Sequence, residues 1–169
     1  TAAQMPAGGD ARQLVALPEP MRTHTIANMR DHLLALQEID EALAKGDFAA
    51  ASRIAEERIG MSSLKSHGAA HIASFLPPPM QEIGTRMHRA ASRFAVEAQN
   101  ASVANDLRPA LLAKSAVIRE CVACHAAYRL KCPTPPQACS RRRARIPSCM
   151  QYAWPQRAAI ASRATRLVV

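Results

Sequence analysis

The residues best suited to chemistry lie together near position 120, where Cys121, Cys124 and His125 form the run CVACH. Two thiols three residues apart, followed at once by an imidazole, make the C-x-x-C-H pattern of covalent haem attachment. On a helix, positions 121 and 124 share a face, and position 125 lies one turn beyond 121. The spacing therefore predicts one haem c, attached through Cys121 and Cys124, with His125 as an axial iron ligand.

Other uses of paired cysteines fit this chain less well. A C-x-x-C redox dithiol is typical of an α/β fold, and no segment here shows the alternation of a strand. A zinc site needs a second pair of ligands, but Cys132, Cys139 and Cys149 form no further C-x-x-C pair. A disulfide between residues three apart on a helix is geometrically unfavourable. Haem attachment remains the interpretation that the spacing favours.

Four amphipathic helices are expected to position this motif. Apolar residues at 26, 29, 33, 36, 39 and 43 have the three- and four-residue spacing of a first helix, which ends at Lys45-Gly46. Asp47 suits the cap of a second helix, and prolines at 77, 78 and 79 precede a third. Asp106 marks the start of a fourth, which contains the motif. Short breaks between helices predict an all-α fold, an antiparallel up-down four-helix bundle over residues 21–130.

The two ends of the chain differ from this helical region. Residues 1–20 contain Gly8, Gly9 and several prolines, and we interpret them as an extended lead-in. Residues 131–169 contain eight basic residues and no acidic one, whereas residues 1–130 contain 14 basic and 13 acidic residues. This contrast predicts a basic, disordered or irregular C-terminal tail. An altered reading frame would produce the same abrupt change in composition.

The run CVACHAAYR, from Cys121 to Arg129, resembles the last helix of the class II c-type cytochromes, the cytochrome c prime group. The likeness covers residues 20–130 as an architecture, and its specific motif is confined to 121–129. It implies a four-helix bundle in an exported, periplasmic protein, and such bundles often form homodimers. Arg129, which closely follows the motif, is then expected to contact the haem. The basic tail departs from this family, whose chains usually end soon after the motif.

The second axial ligand of the iron decides the function. In low-spin members of this group, and in related b-type bundles, a methionine early in the first helix binds the iron, which indicates Met29 here. The first and last helices of an up-down bundle are antiparallel neighbours, so Met29 is expected to meet His125. A thioether ligand raises the redox potential relative to two imidazoles. The alternatives are ordinary core packing of Met29, ligation by His32, and an open coordination position.

We therefore expect an electron carrier, not an enzyme, with a His/Met-ligated haem cycling between Fe(III) and Fe(II) and redox proteins as partners. The alternative is a five-coordinate protein of the cytochrome c prime type that binds NO or CO. No apolar stretch is long enough to span a membrane, and beyond Tyr152 and Trp154 the tail has no aromatic residues interleaved with its basic ones, as a nucleic-acid binder would. His67 and His71 lie four apart and could share a metal, but with no third ligand evident we expect them at a helix surface or at an end of the bundle.

Overall fold

Helices dominate residues 10–131, the part of the chain that the computed structural model describes. The strands are β1 (Gln13–Val15) and β2 (Tyr128–Leu130), and the helices are α1 (Glu19–Ala44), α2 (Phe48–Arg58), α3 (Ala69–Ile72), α4 (Pro78–Ala104) and α5 (Arg108–Ala127). Two short 3₁₀ helices, Met61–Leu64 and Ala73–Phe75, flank α3. The expectation of a helical protein is thus confirmed for this part of the chain.

Local sequence signals set the boundary between α1 and α2. Helix α1 ends before Gly46, whose left-handed φ of 73° carries no steric cost in a residue without a Cβ atom. The Gly46 N–H donates to the Leu43 carbonyl oxygen at 3.0 Å and satisfies one of the last acceptors of α1. Asp47 then caps α2, because its carboxylate accepts a hydrogen bond from the Ala50 N–H at 2.9 Å. The tight turn makes α1 and α2 antiparallel neighbours.

Replacing Asp47 with alanine should lower the free energy of unfolding by about 1 kcal/mol. The physical reason is that the Ala50 N–H loses its acceptor at the start of α2. Urea denaturation measures the change, and Asp47→Asn is the matched control because its amide oxygen can still accept the hydrogen bond. An alanine variant with the midpoint of the wild type would show that the cap adds no stability.

The core is built mainly from small side chains, which let the helices approach closely. Helix α1 packs on α2, α2 packs on α4, and α4 packs on α5. Phe94 of α4 is the largest fully buried side chain in the described residues. The other members of this core cluster are Ala35, Ile39, Ala42, Leu43, Ala51, Ala55, Ile59, Met87, Ala91, Ala95, Ala98, Ala101, Ala110 and Val117.

A pair of parallel strands joins the two ends of the helical region. Gln13 lies opposite Tyr128 and Val15 opposite Leu130, and the Lys131 N–H donates to the Val15 carbonyl oxygen at 2.9 Å. Because β1 precedes α1 and β2 follows α5, the start of α1 lies at the same end of the molecule as the end of α5. The sequence pattern predicted no strand, which is wrong for these two segments.

The described residues exclude most of the predicted tail. Residues 1–9 and 132–169 lie outside them, so the expectation of an irregular basic segment over 131–169 stays a prediction. Within residues 10–131, no helix has both the length and the apolar character that crossing a membrane requires.

Candidate cofactor site between the first and last helices

The predicted C-x-x-C-H motif occupies the last two turns of α5. Cys121 and Cys124 are half-buried free thiols, and His125 is exposed. Burial raises the pKa of both thiols, and the nearby Glu120 carboxylate raises that of Cys121 further. A raised pKa keeps a sulfur protonated at neutral pH, which is the opposite of the activated thiolate that a redox dithiol uses. The raised pKa values therefore do not favour disulfide exchange at this motif.

Helices α1 and α5 are tied together at two places. Lys114 of α5 forms an ion pair with Asp40 of α1, and the β1–β2 pair joins the opposite end. Among the described helices, the closely packed pairs are α1 with α2, α2 with α4, and α4 with α5, so α1 and α5 are not one of them. We call the sides of α1 and α5 between the two ties the seam; two of its residues, Leu36 and Cys121, pack against the core.

On the seam, α1 and α5 each contain a series of residues that starts at the ion pair, and the two series have the same spacing. Each side contains a series that starts at the ion pair and proceeds toward the strands in steps of four, three and four residues. The two series are Asp40, Leu36, Leu33 and Met29 on α1, and Lys114, Ile118, Cys121 and His125 on α5. A helix has 3.6 residues per turn, so each series stays on one side of its helix over about three turns. Met29 on α1 and His125 on α5 therefore each lie eleven residues from the ion-pair member on their own helix.

Several apolar side chains of the seam are exposed to solvent. Met29 is 40% exposed, Leu33 is 70% exposed and Ile118 is 40% exposed. Fully burying a side chain of this kind is worth about 1.5–3 kcal/mol. Exposed apolar side chains thus occur on both helices of the seam, as they do elsewhere on α1 and α5.

Arg129, the residue expected to contact the haem, lies in β2 immediately after the motif. Its Nε donates to the Arg12 carbonyl oxygen at 3.4 Å and lies 3.5 Å from the Asp10 carboxylate. Arg12 in turn donates to the His125 carbonyl oxygen at 3.4 Å. Arg129 therefore helps to hold the end of α5 against the segment that precedes α1, and a role in binding haem stays a prediction.

Three histidines from separate segments meet in the interior and form what we call the histidine cluster. His32 belongs to α1, His67 to the turn before α3, and His88 to α4. The ring centroids of His32 and His67 are 4.8 Å apart, those of His67 and His88 are 5.5 Å apart, and those of His32 and His88 are 6.0 Å apart. Burial lowers the pKa of all three imidazoles, and that of His32 falls to about 4.

The cluster differs from the arrangement that the sequence suggested. His71, which the four-residue spacing paired with His67, is exposed, while His67 is half-buried against His32 and His88. His67 therefore lies in a turn and is half-buried, rather than exposed on a helix surface. His88 is only 8% exposed, so it belongs to the interior as well.

Within residues 10–131, no group of three or more His, Cys, Asp or Glu side chains is arranged to hold a metal ion as the structure stands. A zinc site on Cys121 and Cys124 accordingly has no completing ligands in place among these residues. Comparison of the chain with protein-family models, curated proteins and solved structures found no match.

Proposed function

We propose that this chain is an electron-transfer cytochrome of the class II c type. One haem c is held by Cys121 and Cys124, and His125 and Met29 are the axial ligands. The observation that best supports this assignment is the matched spacing of the seam, which starts at the Asp40–Lys114 ion pair and reaches Met29 and His125 at equal offsets. When bound, a haem supplies a one-electron Fe(III)/Fe(II) couple.

The side chains of α5 fit covalent attachment. Cys121 and Cys124 lie on one side of the helix, half-buried and free of disulfide bonds, so both sulfurs are available to form thioethers. His125 follows directly, so the same turn presents an imidazole on the seam. Leu33 and Ile118 are exposed on the seam, and their apolar surface would be buried by a group bound there.

Met29 is a better second ligand than His32, because the His32 ring is buried against other histidines. His32 is 6% exposed, and its ring contacts His67 and His88, which lie outside both α1 and α5. Met29 instead lies on the seam with its side chain partly exposed. A thioether at this position favours reduced iron and suits a carrier of electrons at relatively high potential.

We also propose that the protein is an up-down helix bundle and that it acts in the periplasm. The long helices α1, α2, α4 and α5 form an antiparallel up-down bundle, supported by the successive packing of α1 on α2, α2 on α4 and α4 on α5. In this bundle, haem would lie between α1 and α5, the remaining pair of neighbouring helices. Attachment through C-x-x-C-H implies export, so the protein acts in the periplasm, exchanges electrons with other redox proteins and catalyses no bond chemistry. A homodimer is compatible with this role.

Covalent attachment is tested by producing the full chain in cells that contain a c-type maturation system. The purified protein should retain haem in a denaturing gel, detected by haem-dependent peroxidase staining, and a double variant, Cys121→Ala with Cys124→Ala, should retain none. Cys139→Ala is the matched control, since this cysteine lies outside the motif, and should stain like the wild type. Unstained wild-type protein, or a double variant that still stains, would rule out attachment at this motif.

The same preparation separates a carrier from a gas-binding protein. A six-coordinate, low-spin spectrum in both oxidation states, with slow or weak binding of carbon monoxide, is expected of the His/Met site. A high-spin spectrum with rapid carbon monoxide binding after reduction would instead assign the chain to gas binding.

A further inference from the structure

We propose that His32, His67 and His88 form a second metal site, which takes a divalent transition ion of the Zn²⁺ type. The site does not depend on the haem, because none of its members belongs to the C-x-x-C-H motif. The three imidazoles come from α1, from the turn before α3 and from α4, so a bound ion would link three parts of the fold.

The ring positions suit one shared ion. Three imidazoles that bind a tetrahedral Zn²⁺ through bonds of about 2.0–2.1 Å have ring centroids roughly 5 Å apart. The observed centroid separations of 4.8, 5.5 and 6.0 Å lie close to this value. Three histidines with an open fourth position are a ligand set that proteins use for zinc.

In His67 and His88, a hydrogen bond at Nδ1 leaves Nε2 as the electron-pair donor. His88 Nδ1 lies 2.6 Å from the Ile59 carbonyl oxygen, which can only accept, so Nδ1 carries the proton and Nε2 carries the lone pair. His67 Nδ1 lies 3.3 Å from Ser63 Oγ, whose own proton is donated to the Gly60 carbonyl oxygen at 2.7 Å. His67 Nδ1 therefore donates as well. Such second contacts, which fix the tautomer, are typical of histidines that bind metals.

The third ring presents an unsatisfied nitrogen. His32 is 6% exposed, and its Nε2 is buried without a hydrogen-bond partner. Leaving a buried polar atom unpaired destabilises the fold, and a metal ion would remove this cost by accepting the lone pair. The lowered pKa values keep the rings neutral near pH 7, which is the state that binds metal.

Binding requires adjustment of the cluster. The three histidines do not form a metal site as the structure stands, so their side chains must shift toward the ion while the Nδ1 hydrogen bonds are kept. His67 is half-buried and offers a route from solvent, while Asn28 holds its backbone through a hydrogen bond of 3.2 Å from Nδ2 to the His67 carbonyl oxygen. The nearest carboxylate, on Asp31, is paired with Arg58, so imidazoles alone make up the set.

The test is calorimetric titration of the full, tag-free, haem-loaded chain with Zn²⁺ after treatment with a chelator. We expect one Zn²⁺ per chain, and His88→Gln should weaken binding at least about tenfold. His71→Gln is the matched control, since this histidine is exposed and close in sequence to His67, and it should bind like the wild type. A wild-type protein that binds no zinc, or equal losses in the two variants, would overturn the proposal.

Two further variants test whether a loss of zinc binding comes from misfolding or from a loss of haem. Ser63→Ala keeps every ligand but removes the acceptor of His67, so it should lower zinc affinity about 10–100-fold while the circular dichroism spectrum is unchanged. The double variant Cys121→Ala with Cys124→Ala should still bind one Zn²⁺. Loss of zinc binding in that folded variant would contradict an independent site, whereas failure of haem attachment alone would leave zinc binding intact.

Discussion

Replacing Met29 with alanine should convert the haem-loaded protein from a six-coordinate, low-spin form to a five-coordinate, high-spin form. The reason is that Met29 is the proposed sulfur ligand, as many residues from the Asp40–Lys114 ion pair as His125, and alanine offers no donor atom. The ferric optical spectrum should lose its weak far-red band from sulfur–iron bonding. The reduced variant should bind carbon monoxide rapidly, and its midpoint potential should change because the axial ligand sets it.

Two variants on the same helix act as controls for this result. Met21→Ala removes a methionine of α1 that is outside the four-three-four series, and it should keep the low-spin spectrum. His32→Gln tests the competing imidazole and should also keep it. A low-spin Met29→Ala protein, together with a high-spin His32→Gln protein, would assign the second axial position to His32 instead.

Phe94→Ala should cause the largest loss of stability among single substitutions in the core, about 3–5 kcal/mol. Phe94 is 1% exposed and is the largest fully buried side chain of the described residues, in a core otherwise made mostly of alanine. The neighbouring small side chains have few atoms with which to refill the cavity. Since domains are stable by only about 5–15 kcal/mol, this variant should unfold at much lower urea concentration.

Two comparisons test whether the loss of stability comes from the Phe94 side chain or from any substitution in α4. Phe94→Leu keeps an apolar side chain and should cost clearly less than the alanine variant. Val103→Ala removes methyl groups from a residue of α4 that is 90% exposed, and it should change stability by no more than about 0.5 kcal/mol. A Phe94→Ala loss as small as that of Val103→Ala would show that the core does not depend on this side chain.

The helices could be predicted because their signals are local. Asp47 caps α2 as expected, and α4 begins at Pro78, inside the predicted proline run. Asp106 lies one residue before the observed cap of α5, and its carboxylate accepts from the Arg108 N–H at 3.0 Å. The strands could not be predicted, because three residues are too few to show alternation and their partners lie at the far end of the chain.

The two candidate sites also differ in whether their sequence signal is local. The C-x-x-C-H motif was visible because its members are contiguous, whereas the histidine cluster comes from three segments whose contact depends on the packing of the whole fold. A weak signal existed all the same. His32 precedes the buried Ala35 and Ile39 by three and seven residues, and His88 precedes the buried Ala91 by three. Imidazoles on core-facing positions of two helices predict polar groups in the interior that need a partner.

The strand pair that joins β1 to β2 imposes an order of events on folding. Arg129 contacts Arg12 across 117 residues, so this contact can form only after the last helix has been synthesised. Closing a loop of that length costs on the order of 4 kcal/mol in chain entropy, and three-residue strands recover it only when the helices are already assembled. The end of the seam near the motif therefore closes last. On the proposed function, a maturation enzyme would therefore have to reach Cys121 and Cys124 before this end of the seam closes.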